Sequence, residues 1–134
     1  MLQFYFLSVL TNILAGYALL VEDSEGSSAL EGLRSYAKDE IVRLVLGILS
    51  VIVGFFKVLS AIRGDIPIIG DLIPAAAGIL AGILLVYEYY KKHSTVAGEH
   101  PEKLEVLWQK KRWVGYGALV AGVAHFLFPT VLFL

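Results

Sequence analysis

Apolar residues gather into four long runs separated by short polar stretches, over residues 1–21, 44–62, 66–90 and 113–134. Each run reaches or comes close to the roughly 20 residues an α-helix needs to cross the roughly 30 Å hydrocarbon core of a bilayer. Within the runs, small and polar positions recur at spacings of three and four, the period of a helix rather than of a strand. The pattern predicts an all-α polytopic membrane protein: a four-transmembrane-helix bundle with helices at about 1–21, 41–62, 66–90 and 113–134, forming a single membrane domain over 1–134. The first run lacks a basic n-region and a small-residue cleavage site before Glu22 and Asp23, so it reads as a retained helix rather than a signal peptide.

The two longer polar stretches, 28–40 and 100–112, also carry helical periodicity. In the first, Ser28 and Glu31 have the spacing of a capping box, with Leu30, Leu33 and Ala37 on one face. In the second, Pro101 suits a first helical position, and Leu104, Leu107 and Trp108 make an apolar face beside Lys103, Lys110 and Lys111. Two readings stay open for these amphipathic segments: lying in the headgroup region, or docking a cytoplasmic partner.

Charge adds an orientation. Arg34, Lys38 and Arg43 flank the first of these stretches, and Lys91, Lys92, Lys103, Lys110, Lys111 and Arg112 flank the second, whereas the opposite side carries only Arg63. Basic residues accumulate on the cytoplasmic side, so both termini are expected outside, in a multi-pass protein of the inner (cytoplasmic) membrane. Tyr87, Tyr89, Tyr90, Trp108 and Trp113 stand where an interfacial aromatic belt belongs. Composition agrees, with 57% hydrophobic and 17% charged residues against about 25% charged in a typical soluble domain. A net charge of −1 gives no pull toward nucleic acid, and the absence of cysteine excludes disulfides and thiol chemistry. His93, His100 and His125 lack ligand spacing, and no phosphate-cradling loop or nucleophile–base arrangement occurs. No metal, cofactor or catalytic residue is expected.

Small and polar residues fall on stripes, as helices that associate in lipid require. The second run carries Arg43, Gly47, Ser50, Gly54, Lys57 and Ala61 on one seam. The third carries Asp71, Ala75, Gly78 and Gly82, the fourth Gly115, Ala118, Gly122, His125 and Pro129, and the first Ser8, Asn12 and Ala15. Gly47, Gly54, Gly78, Gly82 and Gly122 are therefore expected at helix contacts. Ionisable groups inside a membrane are costly and often functional, so Lys57, Asp71 and His125, with Asn12, are expected to form a polar cluster in the outer half of the bundle. The tight connection Arg63-Gly64-Asp65 places Lys57 and Asp71 at similar depth, close enough to pair. Alternatively, residues 64–74 form an outer loop, Asp71 is a helix cap and Lys57 snorkels to headgroups. A structural ion pair or cap and a ligand- or proton-handling role both remain open.

The chain also repeats weakly. Ile13-Leu14-Ala15-Gly16 recurs as Ile79-Leu80-Ala81-Gly82, with Leu19 matching Leu85 and Glu22 matching Glu88. Gly47, Leu49, Val53 and Phe56 align with Gly117, Leu119, Val123 and Phe126, giving two hairpins in a parallel repeat.

The spacing of Arg43, Gly47, Gly54 and Lys57 resembles a pattern found in DoxX-like membrane proteins, which are small four-helix bundles. The resemblance covers about 15 residues and implies a membrane subunit of a quinone-linked redox complex. In that family the pattern sits on the first helix, here on the second. Three functions are thus expected to compete: an accessory or scaffold subunit associated with other membrane subunits, a homo-oligomeric carrier or channel for a small solute or ion, and a quinone-associated redox subunit.

Overall fold

The computed structural model describes residues 2–21, 29, 31–61, 72–94 and 101–128. Among the described residues there are six helices and no strand: α1 (Leu2–Leu20), α2 (Glu31–Lys38), α3 (Glu40–Ala61), α4 (Leu72–His93), α5 (Glu102–Gln109) and α6 (Lys111–Leu127). Three of them, α1, α3 and α4, are long and apolar enough to cross a membrane. The fourth long helix, α6, has 17 described residues and opens on Lys111 and Arg112.

The helix limits follow local chemistry. Asp39 separates α2 from α3, and its Oδ1 accepts from the backbone N–H of Ile41 at 2.9 Å and Val42 at 3.2 Å, satisfying two donors that a helix start leaves open. α3 thus begins at Glu40. The described part of α4 starts at Leu72 and holds Pro74 near that end. Residues 62–71 lie outside the described residues, and with them the Lys57–Asp71 pairing and the outer-loop alternative. Ser28, Leu30 and Pro129 lie outside them as well. α6 starts two residues before the expected Trp113, because Lys111 and Arg112 are good helix formers and their long stems tolerate an apolar surround.

The long helices pack mainly as two pairs, α3 on α4 and α1 on α6; α1 also meets α3 and α4, and α4 meets α6. The short helices α2 and α5 lie at one end, α2 touching α1 and α3, α5 touching α4 and α6. Ala15, Ala18, Leu19, Ala81, Leu84, Leu85 and Ala118 form the core, whose many alanines let the backbones approach closely. The closest approach is reciprocal. A Cβ on Gly82 would lie 2.6 Å from the Gly47 carbonyl oxygen, and one on Gly47 would lie 2.9 Å from the Gly82 carbonyl oxygen. Large apolar side chains are exposed around the outside, among them Phe55, Phe56, Trp113, Val120 and Leu127. Gly117, aligned in sequence with Gly47, faces open space, and Gly115 makes the helix contact instead.

Candidate functional site

The polar residues inside this helix group form three levels along α3. Arg43, Ser50 and Lys57 project from one face of that helix, seven residues apart, and all three are buried. At 1.5 Å per residue they stand about 10 Å from one another along the axis.

At the end where α3 begins, Arg43 ties four helices. Its Nε donates to Glu88 Oε2 at 2.8 Å, and its Nη2 lies 2.6 Å from the same oxygen. Its Nη1 donates to the carbonyls of Ala18 at 2.5 Å and Ala37 at 3.0 Å. Those carbonyls belong to the last turns of α1 and α2, where helix C-termini leave acceptors without intrahelical partners. Arg43 is 3% exposed and Glu88 4%. Lys92 Nζ, one helical turn on, reaches the other Glu88 oxygen at 3.3 Å and Glu40 at 3.6 Å. The planar fork of arginine suits this task, since its several donors can serve a carboxylate and two carbonyls at once.

At the middle level, Ser50 Oγ donates to the Gly78 carbonyl at 2.8 Å and Asn12 Nδ2 donates to the Pro74 carbonyl at 2.9 Å. Asn12 Oδ1 faces Gly78 so closely that a Cβ there would lie 3.0 Å from it, so any larger residue would press on the Asn12 side chain at this crossing of α1 and α4.

At the far end Lys57 Nζ lies 3.3 Å from His125 Nε2, with both residues buried. With an ammonium on Lys57 the imidazole accepts at Nε2 and keeps its proton on Nδ1. Tyr5 closes the group: its ring is 5.7 Å from Lys57 Nζ and 4.8 Å from the His125 ring, and its hydroxyl donates to the His125 carbonyl at 2.8 Å. Tyr5→Phe removes that donor from a carbonyl in the last turn of α6. It is expected to lower stability by about 0.5–1.5 kcal/mol, read by denaturant titration in detergent, and an unchanged midpoint would discount the bond.

Of the expected cluster, the structure joins Lys57 to His125, while Asn12 belongs to the level below and bonds to Pro74. Asp71 lies outside the described residues. The Arg43–Glu88 pair is the feature the sequence reading missed, having placed Arg43 on a packing seam and Glu88 in the repeat. A lone acid inside an apolar, tyrosine-rich helix end was the available signal. A fourth set surrounds α5: Glu105 accepts from Tyr87 at 2.9 Å and Lys91 at 3.0 Å, and Lys111 lies 4.6 Å over the Trp108 ring.

Comparison with known proteins adds kinship. A protein-family model matches residues 1–125 of the chain. An "Uncharacterized protein" of Treponema pallidum (strain Nichols) is 38% identical over 135 residues, covering 100% of both chains. No solved structure matches. The DoxX resemblance is corrected by these findings, because the family that matches is not the DoxX family. Its four positions each have a local cause: Arg43 binds Glu88, Gly47 meets Gly82, Gly54 meets Ile79 and Lys57 meets His125. A polar-and-glycine pattern on one helical face follows from helix contacts and carries no lineage. The chain belongs to the family whose model spans its residues 1–125, and the full-length Treponema pallidum protein is its homologue.

Proposed function

We propose that the protein is a multi-pass inner-membrane protein, a four-helix bundle of two similar hairpins with both termini outside, and that it serves as a non-catalytic accessory or scaffold subunit of a larger membrane complex. The observation that carries the role is the engagement of its internal polar groups. Arg43, Glu88, Asn12, Lys57 and His125 are all buried and each contacts a group on another helix. A carrier needs such groups along a hydrated path, whereas a scaffold needs them consumed internally. Three apolar helices support the membrane assignment. α6 supports a fourth crossing, since it runs against α1 and the sequence stays largely apolar to Leu134. The nine basic residues on one side support the orientation.

Equivalent contacts support the two-hairpin reading. Gly54 meets Ile79 as Gly122 meets Ile13, a Cβ on either glycine lying 2.6 or 2.8 Å from the isoleucine Cγ1. Gly47 faces Gly82 as Gly115 faces Gly16. The offset is 66 residues between α1 and α4 (13 to 79, 16 to 82) and 68 between α3 and α6 (47 to 115, 54 to 122). By the same offset Lys57 corresponds to His125, so these two meet where the halves meet. That position favours a second reading, a homo-oligomeric carrier or channel, because parallel-repeat transporters keep substrate sites at the interface between repeats.

Purification of the tagged chain from its native membrane in mild detergent, with mass spectrometry of what travels with it, separates the two. Stoichiometric foreign subunits are expected. A lone homo-oligomer would overturn the accessory role and direct attention to ion or solute flux through liposomes carrying wild-type protein or Lys57→Ala.

A further inference from the structure

One apolar groove of about 600 Å³ opens between α3 and α4, walled by Ile48, Ile52, Ile83 and Val86 and roofed by Pro101 and Leu104 at the start of α5. Tyr87 and Tyr90 form its rim beneath α5. From Tyr90 to Ile83 the wall runs seven residues, about 10 Å along the α4 axis, which remains within one leaflet of a roughly 30 Å hydrocarbon core. Resting on the membrane reading above, we propose that this groove seats one acyl chain of a phospholipid of the cytoplasmic leaflet with a zwitterionic, phosphatidylethanolamine-type headgroup.

Two features select that occupant. A partner transmembrane helix must continue to the inner surface, and α5 lies across that end, whereas an acyl chain needs only its own leaflet. Both signs of charge are carried by residues that adjoin the lining in sequence: Glu102 and Lys103, between Pro101 and Leu104, are exposed, and Lys91, next to Tyr90, pairs with Glu105 at 3.0 Å. A phosphate and an ammonium on one headgroup complement that mixture, and a purely anionic headgroup does not. The groove also lies on one of the two helix pairs, α3 with α4. At the offsets of 68 and 66 residues the α1–α6 pair has Tyr116 and Tyr17 where this pair has Ile48 and Ile83.

The test exchanges those residues. Full-length protein, stripped of lipid in detergent, is offered dioleoyl phosphatidylethanolamine or dioleoyl phosphatidylglycerol, and bound lipid is counted by native mass spectrometry. Wild type is expected to retain one phosphatidylethanolamine per chain in preference to phosphatidylglycerol. The double variant Ile48→Tyr/Ile83→Tyr is expected to bind at least about tenfold more weakly, at an unchanged melting temperature. Ile52→Phe, which narrows the same wall with a single change, is the second variant should the double one fail to fold, and it is expected to weaken binding too. Undiminished binding in a folded groove variant overturns the proposal, as does equal retention of the two lipids. A foreign protein crosslinked through position 48 in place of lipid also overturns it. Recovery of wild-type chain from cells without detergent overturns the membrane reading instead, which keeps the two failures distinct.

Discussion

Arg43→Ala is expected to destabilise the protein by about 3–5 kcal/mol, because removing one partner of a buried ion pair leaves the other charge uncompensated. Glu88 has a side chain only 5% exposed and would keep just Lys92, whose own side chain is 44% exposed. The carbonyls of Ala18 and Ala37 would lose the same donor, so the ends of α1 and α2 loosen together. The pair itself can be isolated. With Arg43→Met as the first change and Glu88→Leu as the second, the double variant is expected to lose less than the sum of the singles by about 1–3 kcal/mol. It does not recover fully, since the two carbonyls stay without their donor. Lys92→Ala, by contrast, should change stability by no more than about 1 kcal/mol, as expected for a half-exposed pair. Equilibrium unfolding in mixed micelles measures all of these. A single loss below about 1 kcal/mol for Arg43→Ala, or strictly additive losses in the cycle, would remove Arg43 from the centre of this end of the fold.

Which residues face inward was legible from spacing alone. The stripe Arg43, Gly47, Ser50, Gly54 and Lys57 is the buried face of α3, and Gly115, Ala118, Gly122 and His125 that of α6. Small and polar residues are conspicuous among Leu, Ile, Val and Phe, and they mark where backbones approach. Partnership was legible only in part, for a geometric reason. Lys57 and His125 of the expected cluster do meet, at 3.3 Å, although α6 comes from the far end of the chain, while Asp71 lies outside the described residues. Arg43 and Glu88 are 45 positions apart, and their meeting depends on how α3 and α4 slide past each other. That register is set by glycine contacts along the whole interface, not by either charged residue. Gly117 is the contrast: it lies off the stripe, two residues from the Gly115 in contact, and a Cβ there meets nothing within 4 Å.

That difference yields the second large effect. Gly82→Ala adds a Cβ 2.6 Å from the Gly47 carbonyl oxygen and 2.9 Å from the Val51 backbone nitrogen. Neither atom ends a flexible side chain, so α3 and α4 must separate. Overpacking of this kind lowers stability by about 1–3 kcal/mol. The loss should extend to the ends of the interface, because Arg43–Glu88 and Ser50–Gly78 both bridge the same two helices. Gly117→Ala is the contrasting change: its Cβ meets nothing within 4 Å, and replacing a mid-helix glycine stabilises by roughly 0.5–1 kcal/mol. Gly47→Ala, facing Gly82 across the same contact, should resemble Gly82→Ala. The Gly47→Ala/Gly82→Ala double variant should lose less than the two single losses combined, since the first substitution already opens the gap that the second requires. Full additivity would mean that the two glycines act at separate contacts, and that α3 and α4 do not meet backbone to backbone.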